Sequence, residues 1–311
     1  MVFPFRPRDV ILLAVVFSSM AAGICCPQVF AFLQPYPLLF LMILFFMSFL
    51  SIRLEEVWEA LRRASLSILS LVVLKMVILP VILYGLFLFV MPEYAFSALL
   101  LTAVSTGVVA PFMSNLVGGN SARVLVVTVI TSILVPFSLP AVVGLVLAKS
   151  VSFSFWEMLR VLALAIFVPI ATVQILRRIA PRLLEAANRQ SYPVNLVMFA
   201  CITLGVFSKY AEIFYSHPGL IAEACLVDFI LAVIFAVTGI LFFLRSAVED
   251  RLAGAVMIAH VNNVLMIVFS ARFFGPTETM TAAMYLLPFF ALVLPLRLYG
   301  ERAMLRNPGG K

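Results

Sequence analysis

Two polar interruptions stand where a chain this apolar should have none. Ser105 to Pro111 reads Ser-Thr-Gly-Val-Val-Ala-Pro, and His260 to Asn263 reads His-Val-Asn-Asn, each near the middle of an otherwise apolar stretch. Backbone at bilayer depth must satisfy its own hydrogen bonds, so irregular or polar backbone persists there only inside protein or against a water-filled cavity. Interrupted spans in corresponding halves of a chain mark the binding sites of secondary transporters. Thr106, Gly107, Pro111, His260, Asn262 and Asn263 are therefore the candidate substrate contacts.

A second set could handle a cation. Lys75 lies in LSLVVLKMVILPVIL, roughly 13 Å along its helix at 1.5 Å per residue, deeper than a lysine stem comfortably reaches from the surface. A cation at that depth costs about 3 kcal/mol unless it is paired or hydrated. Asp228, with Glu223 about a turn earlier, sits inside another apolar run. A direct Lys75–Asp228 pair would have to close a gap of roughly 10 Å in depth. Thr128, Thr131 and Ser132 form a hydroxyl-rich face shortly after the first interruption, close enough to line the same cavity. The plainer alternatives are a snorkelling lysine, a satisfied core histidine and threonines bonded to their own backbone.

These residues need a membrane around them, and the composition supplies one. Apolar residues make up 64% of the chain and charged residues 11%, and the mean hydropathy is +1.18, whereas soluble domains keep about a quarter of their residues charged. The net charge of +7 is an orientation signal. Nucleic acid is excluded as a partner, because the basic residues stand singly between apolar runs and form no stripe. Cys25, Cys26, Cys201 and Cys225 match no metal-ligand spacing and read as small buried hydrophobes. Arg6 and Arg8 ahead of the first apolar run imitate a signal peptide. Ile24, however, occupies the position before Cys25 where a lipoprotein signal needs a small residue, so the run is expected to stay as a span.

Runs able to cross a bilayer, about 20 residues each, are Val10–Cys26, Leu38–Ile52, Leu66–Met91, Tyr94–Val117 and Val124–Ala148. The rest are Met158–Leu176, Tyr192–Phe207, Leu220–Leu244, Leu252–Phe274 and Thr279–Tyr299. The expected fold is an all-α polytopic membrane protein: ten transmembrane helices in a 5+5 inverted repeat, with discontinuous helices 4 and 9. It forms one membrane domain over residues 1–311, with repeats at 1–150 and 151–311. Amphipathic connectors follow the second span of each half, at Arg53 to Ala64 and Ile179 to Gln190. The last span of each half carries prolines, Pro136 and Pro140 in one and Pro288 and Pro295 in the other. With the N-terminus inside, only Lys149, Arg160, Lys209 and Arg272 fall outside among the loop cations. The positive-inside rule thus places both termini in the cytoplasm, and the membrane is the inner (plasma) membrane.

The segment VSTGVVAPFMSNLVGGNSARVLVVTVITSILVPFSLP resembles the fourth and fifth helices of the bile acid:sodium symporter family. Gly119-Asn120 and Pro136 fall at that family's turn and proline, and IAHVNNVLMIVFS is similar to its ninth-helix crossover. The resemblance implies a panel of helices 1, 2, 6 and 7 and a core of helices 3, 4, 5, 8, 9 and 10. It also implies an organic anion as substrate, and sodium ions behind the crossing of helices 4 and 9. The chain departs from the family at those ion sites. Gly-Gly-Thr-Ala-Ser-Asn of the sodium-dependent members is here Thr106 to Pro111, and their Glu-Thr-Gly-x-Gln-Asn is Ile258 to Asn263. The ninth-helix carboxylate is gone, although hard cations prefer such ligands.

The sequence thus reads as a secondary transporter of a small organic anion working by alternating access. It is either proton-coupled or uncoupled, with Lys75 near the place where the family puts an amide beside a sodium ion. A sodium-coupled symporter of the same family is the alternative. An intramembrane enzyme is a weaker one: Ala60 breaks the endopeptidase-like run RLEEVWEALRR, and His217 and His260 are too few for a histidine-rich metal site. A scramblase or passive channel would not need two interrupted spans. No cofactor is implied beyond the doubtful sodium, the partners are the anion and the lipid bilayer, and the oligomeric state is left open.

Overall fold

The computed structural model describes residues 7–50, 65–147 and 155–306. These residues form α1 (Pro7–Cys25), α2 (Pro37–Phe49), α3 (Leu66–Val90), α4 (Ala95–Ala103), α5 (Ala110–Val117) and α6 (Ser121–Leu147). The second half holds α7 (Phe155–Ile179), α8 (Ser191–Lys209), α9 (Pro218–Phe242), α10 (Val248–Ala259) and α11 (Asn263–Phe273). It ends in α12 (Pro276–Met284), α13 (Leu286–Ala291) and α14 (Val293–Arg306). Proline opens α2, α9 and α12, in the first turn where a helix has no use for the missing N–H. The connector at Arg53 to Ala64 lies outside the described residues. Its counterpart forms the helix Pro181–Arg189.

Among the described residues six helices are long and apolar enough to cross a membrane. They are the third, fifth, sixth, seventh, eighth and tenth of the expected runs. The other four runs are bent, short or divided. The first bends by 109° at Cys26, and the second is only 13 residues long. The fourth is divided into α4 and α5, and the ninth into α10 and α11, at the two polar interruptions.

Because these helices are apolar all round, their outer faces meet lipid and their inner faces meet one another. On α3, Leu69, Val73, Val77 and Val81 are exposed while Leu71, Met76, Leu79 and Leu83 are buried. A single π-helical stretch, Leu74–Ile78, holds Lys75 in the middle of α3. Pro80 follows two residues after it, and a proline's ring and missing N–H disturb a regular i→i−4 ladder.

Packing divides the helices into two sets. Helix α8 lies against α1 and α2, and α2 lies against α7; α3 packs on α4, α9 on α10 and α12, and α6 on α5 and α10. The sets meet where α7 touches α6 and where α11 touches α2 and α8. At one end, Gly118 adopts φ +79° after α5, and Asn120 N donates to Glu249 O at 3.1 Å. Arg123 pairs with Asp250 at 2.9 Å beside it, so the α5–α6 turn is tied to the start of α10.

Lipid gives apolar helices no reason to prefer each other over the bilayer, so close approach of small residues and dispersion must hold them. The tightest such place is Gly239 of α9 against Gly254 of α10. A Cβ on Gly239 would lie 2.1 Å from Gly254 O, and one on Gly254 would lie 2.4 Å from Gly239 O. Gly85 in α3 has open space around it. Gly239→Ala is therefore expected to destabilise the folded protein by about 1–3 kcal/mol, the usual cost of overpacking. Gly85→Ala should leave it unchanged or slightly more stable. Thermal unfolding of the purified variants in detergent checks this, and equal midpoints would refute it.

Candidate functional site

The two interruptions meet. Thr106 and Val261 form an isolated antiparallel bridge, flanked by Gly107 N donating to His260 O at 2.8 Å and Asn262 N donating to Ser105 O at 2.7 Å. Extended backbone that would be intolerable in hydrocarbon thus finds its partners in the other break. Only glycine fits at position 107, since a Cβ there would meet Val261 O at 2.8 Å. Thr106 is locked from both sides: its N–H donates to Thr131 Oγ1 at 3.0 Å and its hydroxyl donates to Met257 O at 2.7 Å.

The C-terminal end of α10 is where unsatisfied carbonyls would otherwise gather. Met257 O takes the Thr106 hydroxyl. Ile258 O faces Lys75 Nζ at 3.5 Å, Ala259 O accepts from Tyr285 Oη at 2.7 Å, and His260 O accepts from Gly107 N. Four consecutive carbonyls are thus met by donors from α3, the first break and the α12–α13 joint. The Lys75 ammonium sits at the partially negative end of a helix, which favours a cation.

In front of the crossing lies a cavity of about 440 Å³. Val16, Leu44, Ser48, Tyr192, Asn195 and Phe199 wall it on one side, from α1, α2 and α8. Gly107, Phe112, Asn262, Asn263, Phe289 and Phe290 wall it on the other. It therefore opens on the seam between the two helix sets. Among the described residues no charged side chain lines it. Its polar lining includes Asn195 Oδ1, Asn262 Nδ2 and both amide atoms of Asn263, which have no hydrogen-bond partner. Helices α5 and α11 begin beside it, with Pro111 in the first turn of one and Asn262 Oδ1 accepting from Leu265 N at 3.2 Å at the start of the other. Helix N-termini carry partial positive charge, so amides and helix ends together suit an anion.

Of the residues singled out by sequence, Gly107, Asn262 and Asn263 line the cavity. Thr106 and His260 are fully buried behind it, the His260 ring standing edge-on to Phe289 at 4.7 Å. Pro111 starts α5 next to the lining Phe112. Thr128, Thr131 and Ser132 were expected to line the same cavity and do not; they are buried on α6 behind the crossing. The hydroxyls of Thr128 and Thr131 donate to Val124 O and Val127 O of their own helix, and Thr131 also supports the crossing. Lys75 and Asp228 do not pair: Lys75 turns to Ile258 O, and neither Asp228 oxygen has a hydrogen-bond partner. The sequence reading missed Asn195 and Tyr285. A tyrosine inside MTAAMYLLPFF was the available signal, because a buried tyrosine hydroxyl nearly always has a partner.

The two threonines of α6 allow a contrast. Thr131→Val removes the acceptor of the buried Thr106 N–H and is expected to cost about 1–3 kcal/mol, the penalty for an unsatisfied buried group. Thr128→Val loses only a bond to its own helix and should cost distinctly less. Thermal unfolding of the two variants side by side decides, and equal losses would deny Thr131 its bracing role.

No curated protein matches the chain. The model of the Sodium Bile acid symporter family matches residues 36–217, which takes in the first interruption and α6 but stops before Asp228 and the second interruption. That match covers more than half of the sequence, and the chain accordingly belongs to the Sodium Bile acid symporter family, a family of membrane transporters of organic anions.

Proposed function

We propose that this protein moves a small organic anion by alternating access without using sodium, and that Lys75 stands where a coupled cation would otherwise be held. The observation that carries this reading is the run Met257 to His260, in which every carbonyl already has a donor from the protein itself. A sodium ion at that helix end would need those oxygens, and hard cations take several oxygen ligands at once. An ammonium fixed on α3 supplies the positive charge permanently. The hydroxyls of Thr128 and Ser132 and the Asn263 amide are the oxygens left for the alternative, a sodium-coupled symporter.

Supporting the transport cycle is the place of the cavity, between α1, α2 and α8 on one side and the crossing on the other. Farther along α2, α8 and α11 lies a second cavity of about 270 Å³, bordered by Gln34, Lys209 and Arg272. A rocking of one helix set against the other would widen one cavity while narrowing the other. In this reading α1, α2, α7 and α8 form the panel and the remaining helices the core. The chain is then a ten-span 5+5 inverted repeat, 1–150 and 151–311, with both termini cytoplasmic in the plasma membrane.

Uptake of a panel of small organic acids, cholate among them, into proteoliposomes at a clamped membrane potential tests this. Uptake should be the same with sodium as with potassium outside, and a steep rise with sodium would establish the alternative. Lys75→Met should lose uptake by about tenfold or more, the equivalent of about 1.4 kcal/mol, in protein that still unfolds cooperatively. Uptake at the unmodified rate would remove Lys75 from the mechanism.

A further inference from the structure

Asp228 is the one fully buried carboxylate among the described residues, and neither of its oxygens has a hydrogen-bond partner. A lone ionised carboxylate in such surroundings is too costly to persist, and it becomes tolerable on pairing or on taking up a proton. Among the described residues no cation pairs with it. Lys75 Nζ is directed at Ile258 O, and Arg251 is bonded to Ser246 O. The close contact of Gly239 with Gly254 sets α9 against α10 so that Glu249, Asp250 and Arg251 lie at the far end from Asp228. Eleven residues separate Asp228 from Gly239, roughly 16 Å along the helix. On the other elements packed against α9, Glu278 accepts from Gly275 N, the backbone carbonyl of Glu212 accepts from Ser216 Oγ, and Tyr215 is bonded to Ile24 O. Along α9, Asp228 lies between Glu223, which accepts from Tyr94 Oη, and Phe235, whose ring is 6.1 Å from that of Tyr285.

The two tyrosines connect Asp228 to opposite places. Tyr94 Oη donates to the carboxylate of Glu223 at 3.2 Å, and Glu223 is exposed near the start of α9. Tyr285 Oη donates to Ala259 O, the last residue of α10 before the crossing. A tyrosine hydroxyl has one proton to donate. While Asp228 is a neutral acid, Tyr285 keeps its bond to the end of α10. If Asp228 is ionised it competes for that same hydroxyl, and Ala259 O loses its donor.

We propose that Asp228 is a proton-binding site that couples anion transport to the proton gradient, loaded from the Glu223–Tyr94 side and read out at the crossing through Tyr285. The proton enters at Glu223 from the outside, is held on the Asp228 carboxyl while the anion crosses, and is released from that carboxyl to the cytoplasmic side when the cavity opens there. This inference rests on reading the chain as an organic-anion transporter, and it assigns the coupling to Asp228 while Lys75 keeps its charge throughout.

The test uses the full chain in liposomes and has two arms. Infrared difference spectra at neutral pH should contain a protonated-carboxyl C=O band that is absent in Asp228→Asn; a band unchanged in that variant overturns the proposal. In the second arm an inward proton gradient of about one pH unit should concentrate cholate about tenfold, the equilibrium limit for one proton per anion. Asp228→Asn should accumulate no more cholate with the gradient than without it, and Tyr285→Phe should weaken the response. Accumulation in wild-type protein that ignores the gradient, or that survives in Asp228→Asn, also overturns the proposal. If wild-type protein carries no organic acid under any condition, the transport reading itself fails, and the infrared arm still decides whether Asp228 holds a proton.

Discussion

In a bilayer, backbone that leaves its helix must find partners within the protein, and this molecule meets that demand by letting two broken spans complete each other. Ser105 and Gly107 exchange hydrogen bonds with Asn262 and His260 across the Thr106–Val261 bridge. Everything near the site follows from that exchange. Position 107 must be glycine because the opposing carbonyl leaves no room for a Cβ. Thr131 is needed because Thr106 N–H faces α6 rather than the partner strand. The cavity exists because helices that stop in mid-membrane leave space in front of their ends.

The same arrangement decides the electrostatics. Each break yields a helix N-terminus facing the cavity and a helix C-terminus behind it. The N-termini of α5 and α11, which carry partial positive charge, and the amides of Asn195, Asn262 and Asn263 border the cavity. Behind the crossing, the end of α10 concentrates carbonyl oxygens, and the protein meets them with its own hydroxyls, an amide and an ammonium.

Holding the breaks together requires close helix contact in a medium that offers no hydrophobic drive. Gly239 against Gly254 brings α9 onto α10, and Ser19 with Thr203, 2.6 Å apart and buried, joins α1 to α8. The first contact lies within the set that carries the crossing, the second within the set that faces it. Between the sets the contacts are fewer, and the cavities lie along the seam.

Much was legible in the sequence because a membrane chain announces its exceptions. Apolar runs mark helices by length alone, and any polar or glycine-containing interruption inside them must have a structural reason. Thus the breaks at Ser105–Pro111 and His260–Asn263, and the burial of Lys75 and Asp228, could be read from residue order. Which buried group touches which could not, because that depends on the rotation and depth of helices far apart in the chain. Lys75 and Asp228 could be matched by charge, yet the tertiary structure turns one to the Ile258 carbonyl and leaves the other without a hydrogen-bond partner. Thr131 and Thr128 have the same chemistry and almost the same place in the sequence. Only the angle of α6 makes one a support of the crossing and leaves the other bonded to its own helix.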